Sequence, residues 1–161
     1  MDDAASEPSA ENPFGTGGSA FACIDLGSTV APFAPGGVES CTVKPGTKIF
    51  VAASSFECST FEAQGTTDAE LRECARQVDV QLAPTVTVDG EFVPVAEVET
   101  RLLNIVLPAG NLFEQPAGTQ GLSVGHGWVT LMPPLTPGTH TIVLHIGEST
   151  ITTTILVKPG D

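Results

Sequence analysis

The sequence predicts an all-β fold, a single antiparallel β-sandwich with one short helix, and three observations carry that reading. Gly and Pro number 17 and 13 among 161 residues, which suits many short strands joined by turns and does not suit a helical protein. Thr and Val crowd the second half, where the helix formers Lys, Arg and Met are scarce. Several segments there alternate apolar with polar residues, and a strand that is apolar on one side needs a second sheet to cover it.

Residues 1–19, "MDDAASEPSAENPFGTGGS", are acidic, rich in Pro, Gly and Ser and without hydrophobic period, so they read as a flexible leader. They lack the basic and apolar regions of a signal peptide and look like what remains after one is removed, with Met1 an added start residue. The sandwich domain is expected over residues 20–161. It begins with the apolar burst "FACIDL", then "STVAPFAPGG", a loop dense in Pro and Gly. "IFVAASSF" (Ile49–Phe56) reads as a buried strand after a Pro45-Gly46 turn. In "TTDAELRECARQV", Thr67 and Glu70 make a capping box, each side chain satisfying a free backbone N–H of the first turn. Leu71, Cys74, Ala75 and Val78 recur at i, i+3, i+4 and i+7, which predicts a short helix over 67–78 with Cys74 pointing inward.

"TVTVDGEFVPV" places Asp89-Gly90 between two alternating runs, the pair that a two-residue hairpin turn requires. "ETRLLNIVL" puts Leu103, Ile105 and Leu107 on one side. "GWVTLM", "THTIVLHI" and "STITTTILV" read as three antiparallel strands in a meander, with Ile142, Leu144 and Ile146 on one face of the second and Ile151, Ile155 and Val157 on one face of the third. The total is about seven to nine strands, arranged in an immunoglobulin-like or jelly-roll-like sandwich.

Nineteen acidic residues against six basic ones leave a formal charge of −13. Such a surface repels phosphate backbones, which argues against nucleic acid, and it is disfavoured at anionic membranes. No apolar run reaches the ~18–20 residues of a membrane span, and the terminal "VKPGD" carries no lipid or wall-anchoring signal. Solubility is the expected role of the charge, with cation binding second. Cys23, Cys41, Cys58 and Cys74 are even in number, form no C-x-x-C and have no His nearby in sequence, so they read as disulfides in an oxidising, extracytoplasmic compartment. Four cysteines allow three connectivities, and the residues alone leave that choice open.

"GLSVG" (Gly121–Gly125) matches the G-x-S-x-G pattern of serine hydrolases. A nucleophile elbow needs a strand before the serine and a helix after it, whereas here a Gly-rich loop precedes Ser123 and the Trp128 strand follows. The acids after Ser123 are Glu148 and Asp161, both beyond the last histidine, against the required order of serine, acid, histidine. Ser123 is therefore expected in a turn given freedom by Gly121, Gly125 and Gly127, with His126 in the same turn. His140 and His145 have opposite strand parity, so one ion cannot easily take both. His140 shares parity with Ile142 and reads as a partly buried residue with a hydrogen-bonded ring. No D-x-D-x-D-G loop occurs, and calcium held by scattered loop carboxylates and carbonyls stays open. Trp128, opposite in parity to Val129 and Leu131, is a candidate surface contact beside Pro133-Pro134, although packing at the sandwich edge is the commoner outcome for such a residue and an aromatic sugar platform is poorly supported. No residue is assigned as catalytic, cofactor-binding or metal-binding.

The succession "TKIFVAASSFECST", "ELRECA", "VTVDGEFV", "IVLPAGNLF" and "GWVTLMPPLTPGTHTIVLHI" resembles a widespread family of secreted bacterial β-sandwich proteins of uncharacterised function, over roughly residues 44–157. The resemblance implies export and the sandwich fold. It also implies a Cys58–Cys74 disulfide, because the family's two cysteines map there, and with it Cys23–Cys41. Where the family often has Asp-Gly ahead of the aromatic strand, this chain has His126-Gly127. No activity comes with the resemblance.

The expected function is that of a non-catalytic exported domain, an interaction or structural module whose partner is an unidentified protein or surface macromolecule. The alternative is a binder of a small ligand, glycan or metal ion such as calcium, using end loops such as Pro108–Gly121; a hydrolase comes third. Thr67→Ala should cost about 1 kcal/mol by removing the helix cap. Denaturant melts that show a loss under about 0.3 kcal/mol would place the helix start elsewhere.

Overall fold

A computed structural model of the chain describes residues 23–32, 38–79, 83–111 and 113–160; the expected leader, residues 1–19, lies outside the described residues. Strands β1 (Cys23–Asp25), β2 (Thr29–Pro32), β3 (Val38–Val43) and β4 (Lys48–Ser59) precede helix α1 (Asp68–Asp79). Strands β5 (Thr85–Val88), β6 (Glu91–Val93), β7 (Ala96–Glu99), β8 (Leu103–Val106), β9 (Gln120–Met132), β10 (Gly138–Ile146) and β11 (Ser149–Val157) follow it. One sheet has the order β1-β2-β4-β9-β7, with β8 also paired to β9, and the other the order β3-β11-β10-β5-β6. The fold is thus the expected sandwich, with one short helix and two disulfides.

Three details depart from the sequence reading. The described residues form eleven strands, more than the expected number, because pieces of three or four residues pair where composition suggested loops. β2, for example, lies within the Pro/Gly-rich "STVAPFAPGG". Two ladders, β2–β4 and β3–β11, are parallel among antiparallel neighbours. The meander is also broken. β10 and β11 pair as expected, with His140 opposite Ile155, but β9 belongs to the other sheet and β10 takes β5 as its second neighbour, Leu144 opposite Val86. The connection "PPLTPG" is long enough to change sheets, and alternation alone does not say which sheet a strand joins.

The chain packs as two compact units. The larger comprises Ala20–Ser54, Leu82–Glu97 and Trp128–Asp161. Its core takes Val30, Ile49, Val51, Ala53 and Met132 from one sheet and Cys41, Val43, Val86, Ile142, Leu144, Ile155 and Val157 from the other. These are the alternate residues of each strand, as a two-sided sandwich requires. The Cys23–Cys41 disulfide joins β1 to β3, the outermost strands of the two sheets on that side. Asp89 and Gly90, at φ 52° and 88°, make the left-handed pair of a tight hairpin between β5 and β6.

That turn is tied to β10. Asp89 Oδ1 accepts from the Thr141 N–H at 2.8 Å, and Oδ2 lies 2.7 Å from His140 Nδ1. His140 Nε2 lies 2.8 Å from the Thr136 carbonyl, so both ring nitrogens face acceptors and the protonated ring is the form that satisfies both. The bond to Asp89, seconded by the Thr136 carbonyl, raises the His140 pKa, and the same histidine lowers that of Asp89.

The second unit holds Ser55–Gln81 and Val98–Gly127. Its small core consists of Cys58, Leu71, Ala75 and Val124, with Phe56, Cys74, Leu102 and Leu122 packed against it. α1 starts as expected: the Glu70 N–H bonds Thr67 Oγ1 at 3.3 Å, and Glu70 Oε2 accepts from Thr67 N–H at 3.1 Å and from Thr66 N–H at 2.8 Å. Leu71, Cys74 and Ala75 share the inner face; the side chain of Val78 lies outside the described residues. A helix of this length is marginal alone. The Cys58–Cys74 bridge to β4, closing a loop worth ~3 kcal/mol, and the burial of Leu71 and Ala75 hold it in place. Glu99, at the end of β7, accepts from both Arg72 and Arg76, the latter at 2.7 Å, and Arg72 also bonds Asp68 and the Thr100 carbonyl. Burial pushes the Glu99 pKa up, but the two arginines outweigh it and the net shift is downward. Partly exposed ion pairs contribute ~0.2–1 kcal/mol each, so they orient the helix more than they stabilise it.

The Asp89–His140 pair gives stability a pH signature. The raised His140 pKa adds stability that is complete below about pH 6.5 and fades as pH rises through the folded value; the lowered Asp89 pKa adds stability that is complete above about pH 4 and fades as pH falls. The melting-temperature difference between wild type and His140→Gln should therefore be widest between those limits and shrink as pH rises through the raised folded value of His140. A difference that is constant or widens on the alkaline side would refute the pairing.

Candidate functional site

Ser123 is a strand residue, not a turn residue. It lies inside β9, pairs with Leu103 of β8 and is 0% exposed. Its hydroxyl donates to Glu57 Oε1 at 2.6 Å, a carboxylate carried by β4. The physical reason is that Gly121, Ser123, Gly125 and Gly127 fall at every second position, the period of one strand face, and this outweighs the turn propensity of glycine. None of Gly121, Gly125 or Gly127 has positive φ, so conformational freedom does not explain them.

Close approach explains Gly121. A Cβ there would lie 2.5 Å from two carbons of the Phe61 ring and 2.6 Å from Thr60 Oγ1. Thr60 cannot retreat, because its hydroxyl accepts from the Leu122 N–H at 3.0 Å and its own N–H donates to the Leu122 carbonyl at 2.9 Å. Phe61 is held in turn by stacking on Phe113, with centroids 5.1 Å apart. Gly125 is roomier: its nearest neighbour would be Thr100 Cγ2 at 3.4 Å. A substrate has no route to the Ser123 hydroxyl in this arrangement, and a base that accepts its proton is not by itself an active site.

His126 also lies within β9, at 3% exposure, and strand alternation sends its ring to the face opposite Ser123. The two are not brought together. His140 is the partly buried, hydrogen-bonded residue that parity predicted, and His145 lies on the other face of β10, bonded to Thr150 Oγ1 at 2.9 Å. Among the described residues, no group of three or more His, Cys, Asp or Glu side chains is placed to hold a metal ion. Trp128 is half-buried and packs against the large core with Met132, while Leu131 is 57% exposed. Parity separates Trp128 from Leu131 as expected, but the bulkier partners face inward.

The end loop from Pro108 to Gly121 uses its polar groups on itself. The buried Asn111 amide donates to the carbonyls of Pro108 and Gln115 at 2.8 and 2.9 Å and accepts from the Gln115 N–H at 3.3 Å. The Thr119 hydroxyl donates to the Pro116 carbonyl at 2.7 Å.

A different surface stands open: the outer face of the five-stranded sheet. Val86, Ile142, Leu144, Ile155 and Val157 face the core, so the intervening residues face away from it. Registered across the strands, they form rows: Thr42 beside Leu156 and Thr139; Ser40 beside Thr154 and Thr141; Thr152 beside Val143, Thr87 and Phe92; Thr150 beside His145 and Thr85. None is buried, and Phe92, on the outermost strand β6, is 78% exposed. One carboxylate borders this face, Asp89, which ends the Ser40–Thr154–Thr141 row and is engaged by the Thr141 N–H and His140; the other positions of the four rows hold no Asp, Glu, Lys or Arg. Its signal was present in the sequence as threonine at every second position of "TVTV", "THTIVL" and "STITTTILV", out of phase with the apolar residues that drew the attention.

No protein-family model and no curated protein matches the chain, so the resemblance over residues 44–157 rests on its own motifs. Among solved structures, the solution structure of amebosin aligns over 75% of this chain and 97% of that one, at 11% identity and a TM-score of 0.25, a likeness too weak to carry an argument.

Two outcomes follow from the sealed Ser123 and the crowded Gly121. A fluorophosphonate probe should not label the folded protein; stoichiometric labelling at Ser123 would require an opening that this packing does not contain. Gly121→Ala should lose about 1–3 kcal/mol to overpacking and clearly more than Gly125→Ala. Equal losses in urea melts would mean that Phe61 does not lie over Gly121.

Proposed function

We propose that the chain is a non-catalytic, exported β-sandwich module that works outside the cell by binding a surface macromolecule. The observation that carries this reading is the open face of the five-stranded sheet, where a Phe at 78% exposure stands at the margin of hydroxyl-lined rows with a single, paired carboxylate. An exposed ring beside hydroxyl-bearing rows offers a partner both apolar and hydrogen-bonding contact. Export is supported by two disulfides that use every cysteine of the chain, since such bonds persist in oxidising compartments. Among the described residues no helix is long and apolar enough to cross a membrane. The non-catalytic character is supported by the burial of Ser123, the residue with the nearest approach to a catalytic motif.

The purified protein should co-sediment with the isolated cell envelope of its own source organism, and Phe92→Ser, verified as folded by its melting curve, should lose most of that binding. Failure of the wild type to sediment, or equal sedimentation of the variant, would sink the interaction reading.

A further inference from the structure

We propose that the partner of the open sheet face is an uncharged polysaccharide, an inference that rests on the interaction reading above and names its ligand class. The first argument is charge. The chain carries −13, yet the four rows of outward side chains on this sheet meet a single carboxylate, Asp89 at the end of one row, and it is already engaged by His140 and the Thr141 N–H. An anionic polymer would be repelled by the rest of the surface, and a cationic one would find its attraction everywhere except here. A neutral polymer is the partner for which a face with one internally paired carboxylate on an otherwise acidic protein is an advantage.

The second argument is hydrogen-bonding chemistry. Ser40 and eight threonines of these rows carry hydroxyls that can both donate and accept, as sugar hydroxyls do, the Thr150 hydroxyl being shared with His145. Neighbouring strands lie ~4.8 Å apart and same-face residues ~6.7 Å apart along a strand, so the hydroxyls form a repeating array. A polymer that repeats its own hydroxyls can engage many of them weakly at once, and multivalency turns weak contacts into retention. Phe92 adds an exposed ring at the margin of the array, a surface for the C–H face of a sugar.

A protein partner fits less well. The centres of protein interfaces are enriched in Trp, Tyr, Met and Arg, and this face has none of them. Threonine rows with one Phe offer little of the concentrated apolar anchoring that such contacts use.

The test is co-sedimentation of the purified, disulfide-intact protein with insoluble neutral polymers: cellulose, chitin and granular starch. Wild type should be retained by at least one of them, and 1 M sodium chloride should not release it. Phe92→Ser and Thr139→Glu, both on the face, should each weaken retention about tenfold, while Leu131→Ser, exposed on the other sheet, should leave it unchanged. No retention by any of the three polymers, or retention indifferent to both face variants, overturns the polysaccharide assignment. If envelope sedimentation still depends on Phe92 in that case, the interaction reading survives and only the ligand class is lost. A concentration-dependent dimer in sedimentation velocity that Thr139→Glu abolishes would assign the face to a second copy and overturn the proposal as well.

Discussion

A strand buries every second residue, and each apolar face so formed has to be covered; this constraint organises both units of the chain. In the larger unit the cover is a second sheet. Val86, Ile142, Leu144 and Ile155 meet Val30, Ile49, Val51 and Met132, and the Cys23–Cys41 bridge closes the side where β1 and β3 are outermost. In the smaller unit the cover is a single helix, too short to persist unaided, so covalent and apolar contacts to β4 and β9 take over from intrinsic propensity. Each cysteine pair therefore stands where one covering layer meets the layer it covers.

The same constraint explains why the Gly-Leu-Ser-Val-Gly segment resembles a catalytic motif without being one. On the side of β9 away from the small core, Gly121 admits the Phe61 ring and the neighbouring positions stay small. A serine buried there needs an acceptor, since an unsatisfied hydroxyl costs ~1–3 kcal/mol, and Glu57 supplies it. Elsewhere the accounting is less complete: the buried Ser59 hydroxyl and the Trp128 indole N–H have no hydrogen-bond partner among the described residues. The Ser123–Glu57 bond fits a structural role, as one polar link inside a tightly packed segment.

Much of the fold was legible because its signals are local. The Thr67–Glu70 capping box, the Asp89-Gly90 turn and the alternation around Leu103, Leu144 and Ile155 depend on residues a few positions apart, and each appears where expected. What failed was non-local. Whether β9 lies beside β10 or in the opposite sheet is decided by the competing β5–β6 hairpin, and nothing within "GWVTLM" records that. Parity distinguished Trp128 from Leu131 but could not say which side would be covered. The "GLSVGHG" segment carries two competing signals, the turn propensity of glycine and a small-residue period of two, and the period prevails because the segment is a strand. The threonine face is harder to read from sequence, because apolar alternation marks the covered side of a strand and an uncovered face shows only as its absence.

The parallel pairing of β3 with β11 has a mechanical consequence. Consider tension applied between the residues before Cys23 and those after Val157. The load crosses the Cys23–Cys41 sulfur bridge, so the intervening segment is not drawn out, and it then passes from β3 to β11. Because these strands run in the same direction, the ladder from Cys41–Ile155 to Val43–Val157 is loaded in shear. Its bonds bear the force together and must break together, whereas an antiparallel hairpin pulled from its open end unzips one bond at a time. A module anchored at one end and gripping a surface elsewhere would gain resistance to pulling from strand direction alone, with no added contact.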